Sequence, residues 1–194
     1  MLKAELRAIV DANAEPGAAP QVAEKQRLRL RAVAELCATW YTGDLVEIGA
    51  FKGDTTVQLL QVAEQYDRRV LVVDPWKTGT QDCFGQEHGI FIKATRPWAD
   101  RLDIVRLSSQ DPEAIAAIKE RELCCAYVDG LHRYEPCLND IHSVSHCAGL
   151  IAVDDIRWST QVLTAFFQGA MDLERVPAFY VDQGIREGYL LPGL

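Results

Sequence analysis

Five short apolar runs, each followed by a different kind of pattern, set the strongest limit on what this chain can fold into. They are DLVEIG (44–49), VLVVD (70–74), LDIVRLSS (102–109), LCCAYVD (123–129) and LIAVDD (150–155). Residues 54–66, 112–121, 135–146 and 159–171 fall between or after them and carry helical periodicity, whereas 75–100 is irregular or only partly helical. Asp111 caps the 112–121 helix and Pro112 takes its first position, where a missing N–H costs nothing. Runs without polar alternation are what strands covered on both faces look like. The alternation therefore predicts an α/β fold: a doubly wound, mainly parallel, Rossmann-like sheet with helices on both faces.

Two helices precede the sheet. Leu2, Leu6, Ile9 and Val10 form one apolar stripe, EPGAAP at 15–20 breaks it, and a second helix follows over 21–40. This 1–40 segment serves as a lid or as a dimerisation arm, and the sequence does not separate the two. Residues 41–194 are expected to form the main domain. At its end, AFYVDQGIREGYLL reads as two strands around Asp182–Gly184, a C-terminal antiparallel hairpin.

The 194 residues carry a net charge of −8, which argues against a nucleic-acid partner. No apolar run reaches membrane-spanning length, and the N-terminus lacks the unbroken apolar stretch of a signal peptide, so the chain reads as cytosolic and not membrane-bound. The six cysteines read as small, reduced, buried residues, with the adjacent Cys124 and Cys125 on opposite faces of a strand. A zinc site of Cys137, His142, His146 and Cys147 is the rival, with irregular spacing.

Four of the five runs end in acids: Glu47, Asp74, Asp129 and the pair Asp154–Asp155. Parallel sheets bind ligands beyond the carboxyl ends of their strands, so these acids crowd the binding edge. Gly49 and Gly53 flank the first strand-to-helix turn and let a ligand approach the backbone. Their pattern is neither GxGxxG nor GxxxxGK[ST], and the acids beside them suit a cationic ligand better than a phosphate. Asp74 stands where an acid holds the two hydroxyls of a ribose.

VEIGAFKGDTT with VLVVDPW resembles the first two motifs of class I S-adenosylmethionine-dependent methyltransferases. AYVDGLHRYEPCLNDI followed by IAVDDI resembles, more narrowly, the macrocin O-methyltransferase-like small-molecule O-methyltransferases. The resemblance implies that the first turn, with Glu47, Gly49, Phe51, Gly53 and Thr55, receives the methionine part of the cofactor. It implies Asp74 at the ribose, Ser108 and Ser109 near the adenine, and Trp76 and Asp129 among the residues that bind the cofactor. It also implies a divalent metal such as Mg2+ on Asp129, Asp154 and Asp155, His132 as general base, and a sugar or other natural-product hydroxyl as methyl acceptor. The turn before the fifth run, CAGL, is shorter than the glycine-rich turn of that family, and the chain leaves little room for a substrate cap.

The residues make the same chemical sense without the family. Three carboxylates from two strand ends are hard oxygen ligands suited to magnesium, which can orient a diol and acidify one hydroxyl. His132, three residues after Asp129, is placed to accept that proton. The plainer alternative makes Asp129–Gly130 a turn, Asp155 a helix cap and His132 a surface residue. A metal-independent methyltransferase and a non-catalytic nucleoside-binding module are the competing functions. Trp76, His88, Trp98 and Trp158 either line an aromatic substrate site or pack. A homo-oligomer is left open.

Overall fold

Apolar runs too short for helices and too continuous for half-exposed strands must be covered on both sides, and the structure covers all of them but the run at 102–105, an edge strand where Ile104 is 38% exposed. The computed structural model describes residues 2–12, 19–76, 85–179 and 186–193. Two helices, α1 (Leu2–Ala12) and α2 (Ala19–Trp40), lead into β1 (Asp44–Ile48), α3 (Asp54–Tyr66) and β2 (Val70–Val73). Then come α4 (Glu87–Thr95), a 3-10 segment (Arg96–Arg101), β3 (Leu102–Val105), α5 (Pro112–Lys119) and β4 (Leu123–Val128). The chain closes with α6 (Tyr134–Ser143), β5 (Leu150–Val153), α7 (Thr160–Asp172), β6 (Val176–Phe179) and β7 (Gly188–Leu191).

The seven strands lie in the order β3-β2-β1-β4-β5-β7-β6. The first five are parallel, and β7 runs antiparallel to both β5 and β6. The expected C-terminal antiparallel pair is therefore present, although its turn around Asp182–Gly184 lies outside the described residues. So do residues 15–18 of the expected break, while residues 19 and 20 open α2. The third strand ends at Val105, four residues before the end of its apolar run. The order reverses between β1 and β4, and such a reversal opens a crevice at the carboxyl ends of those two strands.

Alternate strand residues feed two cores. Leu45, Val70, Val72, Tyr127, Leu150 and Tyr189 pack under α2 and α3, joined by Leu6 of α1 and Phe91 of α4. Val46, Ile48, Leu71, Val128, Ile151 and Val153 pack against α5, α6 and α7. Leu30, Val33, Ala34 and Cys37 of α2 are buried in the same core as Leu45, so the second half of α2 packs onto the sheet.

Cys124 and Cys125 do not point to opposite faces; both join the α2 side. Asp44 pairs with Leu123 and Leu45 with Cys125, so Cys124 is an extra residue in β4. A bulge breaks the two-residue alternation on which the expectation rested. Cys37, Cys124, Cys125, Cys137 and Cys147 are buried free thiols, as expected. Among the described residues, no helix is long and apolar enough to cross a membrane.

Candidate active site

The carboxyl ends of β1 and β4 touch. The N–H of Asp129 donates to the carbonyl of Ile48 (2.8 Å), and that of Asp154 to the carbonyl of Val128 (2.9 Å), so hydrogen bonding runs past the strand ends and fixes where the acids start. Gly49 has φ 86°, and a Cβ there would stand 2.0 Å from the Asp129 carbonyl oxygen. Only glycine allows the two backbones this approach.

Asp74 organises the turn that follows β1. Its Oδ2 accepts the N–H groups of Ala50 (2.8 Å) and Phe51 (3.0 Å), and its Oδ1 accepts that of Trp76 (2.7 Å). Phe51 and Trp76 both have positive φ, 48° and 41°, and the Trp76 indole donates to the Phe51 carbonyl (2.7 Å). Beside this knot lies a cavity of about 450 Å3 lined by Pro75, Trp76, Glu87, His88 and Arg106. His88 and Phe91 each lie 4.8 Å, centroid to centroid, from Trp76. Burial, with Arg106 adding, holds the His88 imidazole below its ordinary pKa. Trp98 stands apart, its indole bound to Glu64 (2.8 Å).

Glu47 points from β1 into the α2–α3 layer and is fully buried. Thr56 donates to its Oε2 (2.5 Å), while Oε1 has no hydrogen-bond partner. Burial pushes its pKa up to about 8; the Thr56 bond opposes this, and the charges of Asp129 and Asp74 add to it. Thr55, the neighbour singled out from sequence, is half-buried and Thr56 is the residue that meets Glu47.

Across the crevice, three side chains converge. The His132 Nε2 lies 3.4 Å from Asp129 Oδ1 and 3.2 Å from Asp155 Oδ2. Ligand atoms of Asp129, His132 and Asp155 all lie within 4.8 Å of one another, the group among the described residues able to hold a metal ion. The two carboxylates raise the His132 pKa to about 10. Burial raises that of Asp129 to about 6, against the pull of His132. Trp158, 59% exposed, sets its ring edge-on to His132 at 5.1 Å, and Arg186 reaches Asp155 Oδ1 at 3.5 Å.

Asp154 and Asp155 are adjacent in sequence but do different things. Asp155 has φ 54°, a left-handed conformation that aspartate tolerates better than most residues. Asp154 helps to hold it: its Oδ1 accepts the Asp155 N–H (2.7 Å) and the Gln26 amide (2.6 Å) from α2, and its Oδ2 accepts the Tyr127 hydroxyl (2.7 Å). Burial, followed by the charges of Asp129 and Asp155, pushes its pKa well up. The structure thus brings together Asp129, His132 and Asp155 and turns Asp154 toward α2. Tyr127, Gln26, Thr56 and Arg186 were missed in the sequence. Tyr127 carried a signal, a hydroxyl inside an otherwise apolar buried run, which must find a partner.

On the other wall, Ser108 and Ser109 open the turn after β3. The Ser108 N–H donates to Asp111 (3.0 Å), and the Gln110 amide donates to Ser109 Oγ (3.1 Å). The rival zinc group does not assemble: His142 pairs with Asp172 (3.0 Å) and His146 meets the Arg121 carbonyl (2.9 Å), while Cys137 and Cys147 are buried.

A β1 turn pinned by the acid of β2, opposite an acid–histidine cluster after β4 and β5, defines a Rossmann-like domain of the class I methyltransferase type. Residues 46–156 match a family model described as a methyltransferase domain, more than half of the chain, and the chain belongs to that family. No curated protein matches the sequence. Solved structures do. CalS11, a TDP-rhamnose 3'-O-methyltransferase of calicheamicin biosynthesis, aligns with a TM-score of 0.64 at 13% identity, over 99% of this chain and 94% of its own. The O-methyltransferase NovP gives 0.59 at 15%, over 87% and 79%. TomG from Streptomyces achromogenes, solved with S-adenosylmethionine, gives 0.58 at 14%, over 99% and 89%. At such identities the likeness is one of fold.

Proposed function

We propose that this methyltransferase uses S-adenosylmethionine to methylate a hydroxyl of a small molecule, a sugar or natural product. The observation that carries the reading is the meeting of Asp129, His132 and Asp155 within 3.4 Å contacts at the crevice whose other side is the Gly49 turn. The cofactor's methionine part is assigned to the Glu47–Gly53 turn. Its ribose goes to Asp74, whose carboxylate already gathers three N–H groups, and its adenine lies toward Trp76, Ser108 and Ser109. The bound S-adenosylmethionine in TomG and the sugar acceptor named for CalS11 support this reading.

The donor set fits a divalent cation: two carboxylates and an imidazole already face one point. Asp129 and Asp155 would hold it, with Asp154 behind them setting the backbone of Asp155. Such an ion supplies Lewis acidity that lowers the pKa of an acceptor hydroxyl. In the free protein, the carboxylates of Asp129 and Asp155 keep the proton on His132. With Asp129 and Asp155 holding a cation, His132 would lose their support for its proton and would be the group placed to accept the proton of the hydroxyl. Trp158 offers an exposed ring face beside it for the body of the acceptor. Methyl transfer then depends mainly on alignment of the hydroxyl with the sulfonium methyl.

One observation favours a metal-free variant of this chemistry. Asp155 already faces two cationic groups, His132 and Arg186, so the cluster is partly compensated from within. Release of S-adenosylhomocysteine from S-adenosylmethionine in the presence of a panel of sugars and catechols, with magnesium and with chelator, separates the two. Turnover that stops in chelator and returns with magnesium supports the metal; full turnover in chelator removes it. Absence of turnover with every acceptor, by a protein that binds the cofactor, favours a binding module. The net charge of −8 keeps nucleic acid out of the proposal, and the proposed setting is cytosolic.

A further inference from the structure

The buried face of α6 is apolar at Cys137 and Ile141, as is Val144 just past its end, yet Asp140 among them is fully buried. An ionisable side chain in such a place is costly and calls for a reason. Its Oδ1 accepts the Gln110 amide (2.8 Å), while its Oδ2 has no hydrogen-bond partner. That free oxygen lies against the next loop: a Cβ on Gly130 would stand 2.6 Å from it. Gln110 makes further bonds, donating to Ser109 Oγ (3.1 Å) and the Pro136 carbonyl (3.3 Å) and accepting from Asn139 (3.0 Å). One carboxylate on α6 is thus bound to the turn after β3 and packed against the loop after β4. Those are two walls of the crevice, adjoining Ser109 and Asp129 respectively.

We propose that Asp140 is a positioning residue for cofactor binding: through Gln110 it fixes the Ser108–Ser109 turn, and against Gly130 it fixes the Asp129 loop. The gap between the two walls is set from beneath, by a group the cofactor does not touch. This rests on the assignment of the crevice to S-adenosylmethionine. A Cβ on Gly130 would press on Asp140 Oδ2 and so disturb its bond to Gln110.

The test is calorimetric titration of S-adenosylhomocysteine into the full chain and its variants. Asp140→Ala and Gln110→Ala should each weaken binding by about tenfold or more, the equivalent of about 1.4 kcal/mol. Asp140→Asn, which keeps an oxygen facing the Gln110 amide, should stay within about threefold of the parent. The Asp140→Ala/Gln110→Ala double variant should lose no more than Asp140→Ala alone, because removing Asp140 already breaks the link through Gln110. Gln110 is only half-buried, so Gln110→Ala carries the test if Asp140→Ala does not fold. Parental affinity in folded Gln110→Ala, or an Asn variant as weak as Ala, overturns the proposal. Failure of the unmodified chain to bind would instead overturn the cofactor assignment.

Discussion

Replacing Arg29 by methionine should be among the more damaging changes outside the crevice. Arg29 on α2 and Glu187 before β7 are each 2% exposed, with Nε–Oε1 at 2.7 Å and Nη2–Oε2 at 3.3 Å. Burial alone would lower the Arg29 pKa; the bond to Glu187 and its charge outweigh that and raise it, so the cation is well held. Methionine fills much of the space but leaves the Glu187 carboxylate buried, with the Tyr189 hydroxyl (3.3 Å) and the Arg186 N–H (3.2 Å) as remaining donors. Stranding one member of a buried pair costs about 3–5 kcal/mol. For a domain of this size that lowers Tm by roughly 6–20 °C. Differential scanning calorimetry measures it directly. Arg29→Met/Glu187→Leu, which removes both charges, should recover most of the loss. A single variant melting within about 2 °C of the parent would refute the reasoning and with it the docking of α2 on the sheet.

Gly49→Ala should lose at least about tenfold in S-adenosylmethionine affinity by calorimetry, because its Cβ would displace the Asp129 carbonyl; parental affinity would contradict the close approach of β1 and β4. Glu47 is pushed up to about 8 in the folded chain from an ordinary 4.5, so the unfolded chain ionises first and native stability falls as pH rises between these values. At about 1.4 kcal/mol per pKa unit the loss is on the order of a few kcal/mol. Glu47→Gln should therefore show a flatter dependence of Tm on pH, and parallel curves would count against a buried neutral Glu47. His132→Ala should lower turnover by on the order of 10²–10⁴ at pH 7 while leaving cofactor affinity unchanged, and coincident pH–rate profiles would reduce His132 to a structural residue.

Much of the fold was legible because its central strands are covered on both faces and so appear as unbroken apolar runs, with helices between them. Where local pattern and tertiary register disagree, the sequence misleads. The bulge at Cys124 cancels the alternation expected of Cys124 and Cys125. The short helix α4, with Gly89 inside it, lies in a stretch too mixed to show a period. At the site, Asp129 and His132 were legible from their three-residue offset beyond a strand. Asp154 and Asp155 looked equivalent, since nothing local announces that positive φ at Asp155 sends the two side chains to different partners. Gln26 is 128 residues from Asp154, and Asp140 looks like any acid on a helix, so neither role exists until the fold is made.

The measurement that bears most directly on the function is calorimetric titration of S-adenosylmethionine into the unmodified chain, alongside Asp74→Ala. Saturable binding, with one cofactor per chain and loss of about tenfold or more in Asp74→Ala, is the predicted result. A folded chain that binds neither S-adenosylmethionine nor S-adenosylhomocysteine would contradict the assignment of the β1–β4 crevice.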